Sequence, residues 1–257
     1  LKPIEEQGYL IPAFNFGKVD YVDCANTLAL SIKSWHPESK ICLLTNTQVN
    51  LDVFDYVRTI TADEKNPYSN DWQVFYQTPF RETIKIEADM LITSGIDHWW
   101  TMLRHRDVVI STGARTWQDQ TATSRAYRRV FDENHLPDVY NAITYWRLSH
   151  TAKNFFDTVR HIFENWDQYQ KMIRFPESTP STDLVYAMAA EIVGSELVTL
   201  PFATYPRMVH MKPAHSGSQG TDWTKEFVWE YHESSLRINT IAQWGAFHYH
   251  VKHWRPD

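Results

Sequence analysis

The stretch RETIKIEADMLITSGIDHWW, residues 81–100, carries two carboxylates, Glu87 and Asp89, inside an otherwise apolar run of Ile84, Ile86, Met90, Leu91 and Ile92. Burying an unpaired carboxylate is costly, so the pair needs a cation or a strand end that opens onto a cleft. Side chains at i and i+2 of a strand share a face. Glu87 and Asp89 therefore present two hard oxygen groups to one point, enough to hold a divalent ion but not to cage it. A partly coordinated Mg²⁺ or Mn²⁺ takes its remaining ligands from phosphates and water, which suits stabilisation of a diphosphate. The same residues also fit a bland role, as a helix cap or as ion-pair partners of Lys85 or Arg81. The order of the segments around them bears on the choice.

Upstream, YLIPAF (9–14) reads as a buried strand closed by Asn15-Phe16-Gly17. Tyr21, Ala25, Leu28, Ile32 and Trp35 then follow helical spacing up to Pro37. KICLLTN (40–46) predicts a second strand, NLDVFDYV (50–57) a helix, and RTITA (58–62) a third strand. A helix over 72–76, a strand over 83–89, a short helix over 96–103 and a strand over 106–112 follow. Residues 113–138 are polar and aperiodic, as expected of a loop region at a site. Residues 138–149 predict a strand, 150–173 one amphipathic helix, and 181–193 another with Ser181 and Thr182 at its start. ELVTLP (196–201) and RMVHMK (207–212) read as strands before an aromatic, His-rich tail. Strands alternating with helices, without hairpin signals, indicate an α/β fold with a mostly parallel central sheet and helices on both faces. Ligands of such sheets bind beyond the carboxyl ends of the strands. With no repeat, linker or composition break, a single domain over 1–257 is expected.

The 257 residues are 43% hydrophobic and 14% aromatic, ample for a core and unlike a disordered chain. No apolar run approaches the roughly 20 residues of a membrane helix. Only two cysteines occur, Cys24 and Cys42, both in apolar segments. Buried thiols in a cytoplasmic protein are expected (host cytoplasm for a phage-encoded one), without a membrane partner. The net charge of −6 argues against nonspecific coating of nucleic acid, although Arg104-His105-Arg106 and Arg125 with Arg128-Arg129 form local basic clusters. His248, His250 and His253 suggest a metal reading, since His248 and His250 share a strand face, but with no third ligand type near them along the chain a second metal site is the minor alternative.

The ordered set of segments resembles nucleotide-sugar glycosyltransferases of the GT-A type, nearest the glycogenin- and galactosyltransferase-like retaining enzymes. The resemblance spans about residues 8–215. SIKSWHPESKICLLTN resembles the nucleotide-binding start of those enzymes, and TIKIEADMLITSGIDHWW their D-x-D segment, with Glu87 at the first Asp and Asp89 at the second. VYNAITYWRLSHTAKNFF and STDLVYAMA resemble the segments whose Asn and acidic residue contact sugar, here Asn141 and Asp183. VHMKP resembles the segment whose His completes the metal site, here His210, with Lys212 near the diphosphate. Two departures stand out: Glu replaces the first Asp, and Ala142 stands where Gly is usual.

The resemblance implies a GT-A fold with residues 8–112 as nucleotide-binding half and 113–257 as acceptor-binding half and tail. It implies Mn²⁺ or Mg²⁺ held by Glu87, Asp89 and His210, and catalytic roles for Asp183 and Asn141. Phe14, Asn15, Tyr21, Lys85 and Lys212 are the expected donor contacts, with Phe14 or Tyr21 stacking on the base. The implied reaction moves a sugar from a nucleoside diphosphate donor, UDP-linked, to a hydroxyl. A retaining enzyme needs no strong base; an inverting one needs a carboxylate, and Asp183 is the candidate. The acceptor stays open among saccharide, protein and lipid hydroxyls and a hydroxymethylated DNA base of the phage type, flipped into the pocket. Two other classes fit the residues: a non-catalytic nucleotide-binding protein on the same fold, and a metal-assisted phosphohydrolase using the C-terminal histidines.

Overall fold

Alternation along the first strands sorts their side chains onto two helical layers. In a computed structural model, which describes residues 2–122, 128–200 and 206–254, Tyr9, Ile11 and Ala13 of β1 (Glu5–Ala13) face one side. Leu10 faces the other. The first side packs on α1 (Tyr21–Trp35), through Ala25, Leu28 and Ile32. Asp20 starts this helix by accepting hydrogen bonds from the Val22 and Asp23 amides, satisfying donors that a helix start leaves free. β2 (Ile41–Thr45) is buried throughout, and β3 (Tyr56–Thr59) forms the sheet edge.

After α2 (Gln73–Gln77), β4 (Phe80–Ile86) re-enters the sheet beside β1. It is followed by β5 (Met90–Ile92), α3 (His98–Leu103), β6 (Val108–Thr112), α4 (Arg129–Glu133) and β7 (Val139–Arg147). The six-stranded sheet has the order β3-β2-β1-β4-β7-β6, and only β7 runs against the rest. β7 wedges between β4 and β6, so residues beyond 113 complete the sheet begun by residues before 112.

The second helical layer is α5 (His150–Glu164), α6 (Trp166–Ile173), α7 (Thr182–Val193) and α8 (Ser195–Val198). Ala152, Phe155, Phe156, Val159 and Ile162 line the inner stripe of α5 at helical spacing. They pack with Trp146 and α7 in the core of that face. A smaller sheet, in the order β5-β12-β8, joins β8 (Met208–His210) to the tail. The tail itself runs through α9 (Pro213–Ser216), the meander β9 (Trp229–His232), β10 (Ser235–Ile238) and β11 (Ile241–Ala242), and then β12 (Ala246–His248). Trp223, Phe247, Tyr249 and Trp254 give this end its own apolar cluster.

Four expectations differ from these elements. Residues 50–57 are not a helix but a turn that enters β3 at Tyr56, because the Asp55 carboxylate accepts from the Ile41 amide and pairs with Lys33 and Lys40, drawing the segment to the sheet edge. The helix over 150–173 breaks at Asn165, whose side chain donates to the His161 carbonyl and competes with the helical ladder. ELVTLP opens as helix α8, not as a strand, after Gly194 turns the chain at φ 110°; its Pro201 lies outside the described residues. The strand expected over 83–89 ends at Ile86, which frees Glu87 and Asp89 from the ladder. Among the described residues, no helix is long and apolar enough to cross a membrane.

Candidate active site

The carboxylate pair sits at the seam between the two sheets. The Glu87 amide still donates to the Ala142 carbonyl at 2.9 Å, the last sheet-like bond of β4. The chain then turns through Ala88 and Asp89 and re-enters order as β5. The central strand β12 of the small sheet runs antiparallel to β5 and parallel to β8, placing His248 opposite both Met90 and His210. The Tyr249 amide donates to the Asp89 carbonyl at 3.2 Å, locking the turn.

Asp89 is only 4% exposed. Its carboxylate takes a 2.9 Å contact from His248 Nε2 and pairs with the Lys252 ammonium. Glu87 is more open, its side chain 28% exposed, with Oε2 3.6 Å from the same His248 nitrogen. Glu87, Asp89 and His248 offer ligand atoms that all lie within 4.8 Å of one another. Burial opposes ionisation of Asp89, but His248 and Lys252 outweigh it and hold the carboxyl well below its ordinary range. Burial pushes the Glu87 carboxyl up, and the Asp89 charge adds to that. One firm anion and one readily neutralised carboxyl thus stand side by side, an arrangement that an added divalent cation stabilises in its doubly ionised form.

A cavity of about 560 Å³ opens in front of the pair. Phe14, Phe16, Tyr21 and Tyr68 line it together with Asp71, Glu87, Asp89, His248, His250 and Lys252, and the Lys252 ammonium stands 5.7 Å from the centre of the Tyr21 ring. Aromatic and charged side chains thus share the lining of a volume suited to a small-molecule ligand.

The remaining expected residues divide by depth. Phe14 and Tyr21 line the cavity. Asn15 organises the loop behind them: its Oδ1 accepts from the Tyr21 amide at 2.8 Å, and its own amide donates to Asn46 Oδ1. Lys85 is fully buried, its ammonium 3.1 Å from Asp71 and donating to the Asn141 carbonyl at 3.0 Å. Asn141 is also buried; its amide donates to Asp183 Oδ1 at 2.8 Å and its side chain to Asp71 at 3.3 Å. Asp183, in the first turn of α7, receives Arg128 at 3.2 Å. Lys212 caps α9, where burial pushes its amine down against the pull of Asp183. His210 lies on β8, and one of its ring nitrogens groups with those of His248 and His250.

Asp71, Thr182, His248, His250 and Lys252 line the cavity without having been expected there. One signal existed: His248, His250 and Lys252 alternate, the period that puts side chains on one side of an extended segment. Asp71 and Thr182 carry no local mark. Of the basic clusters, Arg104 pairs with Glu82 near the start of β4, at the far end of the sheet from the carboxylates. Arg128 is buried against Asp138 and Asp183, and Arg129 pairs with Glu133. Arg125 lies outside the described residues.

No family model matches the chain, and no curated protein does. Solved structures do. The galactosyltransferase LgtC, crystallised with donor and acceptor sugar analogs, superposes with a TM-score of 0.55 at 12% identity, covering 94% of this chain and 86% of that one. Mouse xyloside xylosyltransferase 1 superposes with a TM-score of 0.53 at 10% identity, covering 99% of this chain and 100% of that one. The chain has the GT-A fold that these glycosyltransferases share.

Proposed function

We propose that the protein transfers a sugar from a nucleoside diphosphate donor, UDP-linked, to an acceptor hydroxyl. The observation that carries this reading is a cavity at the carboxyl end of β4 whose lining joins aromatic rings to the Glu87–Asp89 pair. A likeness to LgtC, a galactosyltransferase crystallised with donor and acceptor sugar analogs, agrees with it.

In this reading Phe14 or Tyr21 stacks on the base, and the diphosphate lies toward Glu87 and Asp89. The donor set fits a divalent cation: two carboxylates and one imidazole within 4.8 Å, one carboxyl of which is hard to ionise unaided. Glu87, Asp89 and His248 would hold Mn²⁺ or Mg²⁺. When bound, the ion supplies charge that stabilises the diphosphate as it leaves. Lys252 adds a positive charge beside Asp89. Asp71 and Thr182 line the same cavity and are placed to receive sugar hydroxyls, with Asp183 and Asn141 supporting them from beneath. A saccharide hydroxyl is the favoured acceptor. Of the basic side chains named for a DNA acceptor, Arg104 pairs with Glu82, Arg128 is buried with Asp138, and Arg129 pairs with Glu133.

Calorimetric titration of UDP with Mn²⁺, and again with EDTA, tests this. Binding should require Mn²⁺ and vanish in Asp89→Ala. Failure of UDP, GDP, CDP and ADP alike would sink the donor site. Metal-independent nucleotide binding without sugar transfer to any acceptor would favour a binding protein on the same fold.

A further inference from the structure

Three imidazoles meet behind the carboxylate pair. His210, His248 and His250 each bring one ring nitrogen within 4.8 Å of those of the other two. The ring centroids of His248 lie 3.9 Å from those of His250 and 5.0 Å from those of His210. The gathering follows from the fold, since pairing of β8 with β12 sets His210 beside His248 in register.

Hydrogen bonding does not account for it fully. His248 Nε2 is engaged by Asp89 at 2.9 Å. Its Nδ1 is buried with no hydrogen-bond partner among the described residues, on a residue only 5% exposed. A buried polar atom left unmatched is costly, so such an atom calls for a partner. Metal-bound histidines show this same division, one nitrogen on the ion and the other facing a carboxylate. His250 Nε2 and His210 Nδ1 are 3.1 Å apart, a hydrogen-bond contact, and the Lys212 amide lies 3.3 Å from the same His210 nitrogen. Adjacent ligands of a tetrahedral ion with metal–nitrogen bonds of about 2.0–2.1 Å stand roughly 3.3 Å apart, so the two rings already have the spacing of neighbours on one ion.

We propose that His210, His248 and His250 bind one divalent transition ion of the zinc class, at a site separate from the Glu87–Asp89 pair. An all-imidazole set selects zinc, cobalt, nickel or copper over the oxygen-seeking magnesium and manganese. His248 is the shared wall, with Nε2 toward the carboxylates and Nδ1 toward the ion. Three protein ligands leave a fourth position for an exchangeable group, and His248 and His250 both line the cavity from which it would come. Asp89 then positions His248 as well as serving the cavity.

The test uses the full chain and metals alone, so it stands apart from the transferase reading. Zn²⁺ and Mn²⁺ affinities are measured by chelator competition for the unsubstituted protein and for His210→Gln, His250→Gln and Glu87→Gln. Each histidine substitution should weaken Zn²⁺ at least tenfold and change Mn²⁺ by less than threefold, while Glu87→Gln should do the reverse. Asp89→Asn should weaken Zn²⁺ by about 10- to 100-fold as a positioning residue. If Glu87→Gln damages Zn²⁺ binding as much as the histidine substitutions, there is one shared site and the proposal falls. It falls also if the unsubstituted protein binds Zn²⁺ no better than His210→Gln. Should a substituted chain fail to fold, nitrogen-resolved histidine spectra of the unsubstituted protein decide. One equivalent of Zn²⁺ should shift ring nitrogens of three histidines together, and fewer than three overturns the assignment.

Discussion

Replacing Lys85 with Met removes the cation that, among the described residues, pairs with Asp71, while keeping the length and apolar stem of the side chain. The ammonium is fully buried and 3.1 Å from Asp71. Losing one partner of a buried pair costs about 3–5 kcal/mol, because the other charge stays behind in a poor solvent. Asp71 keeps two donors, the Tyr186 hydroxyl and the Asn141 side-chain amide, so the cost should fall at the low end, about 3 kcal/mol. For a chain of this size that is a drop in melting temperature of about 6–12 °C. Thermal unfolding followed by circular dichroism measures it, with Lys85→Met/Asp71→Asn as the second arm. The double variant carries no stranded charge and should recover most of the loss. A single variant that loses less than about 1 kcal/mol, or a double variant no better than the single, would refute the view that Lys85 exists to neutralise Asp71.

Phe14→Ala should weaken UDP binding by about 1–3 kcal/mol if the base stacks there, and leave pyrophosphate binding unchanged; equal losses for both ligands in calorimetry would remove Phe14 from the base site. Gly8→Ala puts a Cβ 2.4 Å from the ring of the fully buried Phe80 and should cost about 1–3 kcal/mol in urea unfolding; a neutral result would mean the ring has room to move. Asp55 is held below its ordinary carboxyl range, with burial opposed by the Ile41 amide and by Lys40 and Lys33. Its stabilisation is therefore present above the unfolded value near 3.9 and lost as pH falls through the folded one. Asp55→Asn should cost about 1.5 kcal/mol at neutral pH, and the difference from the unsubstituted protein should shrink below about pH 4; a constant difference would contradict the ionic account.

The early strands and α1 were legible because each carries a local signal: a short apolar run closed by turn residues for β1, a period of 3.6 for α1, with Asp20 and Pro37 at the helix boundaries. Glu87 and Asp89 were legible because carboxylates in an apolar run are conspicuous wherever the strand ends. Segments whose state depends on distant partners were not. Residues 50–57 have a helix-like pattern that the Asp55 ion pairs override. His248 and His250 lacked a partner along the chain, yet β12 lies between β5 and β8 and brings them to Asp89 and His210. Lys85 is a third kind of case. Its burial is set by Asp71 and Asn141, neither adjacent in sequence, and no local pattern distinguishes a lysine that neutralises the floor of a cavity from one that reaches into it.

The central place of β12 has a consequence for how the protein comes into being. β5 and β8 do not pair with each other; β12, more than 150 residues downstream of β5, pairs with both, and β8 also bridges to Arg115. During synthesis the large sheet has all its strands once β7 has emerged, yet Asp89 has neither His248 nor Lys252 until residues 246–252 leave the ribosome. A nascent chain thus carries a folded scaffold with an unfinished centre, and the long loop closed by β12 makes its docking a late, slow event. A chain cleaved before residue 246 would lack the strand that brings His248 and Lys252 to Asp89.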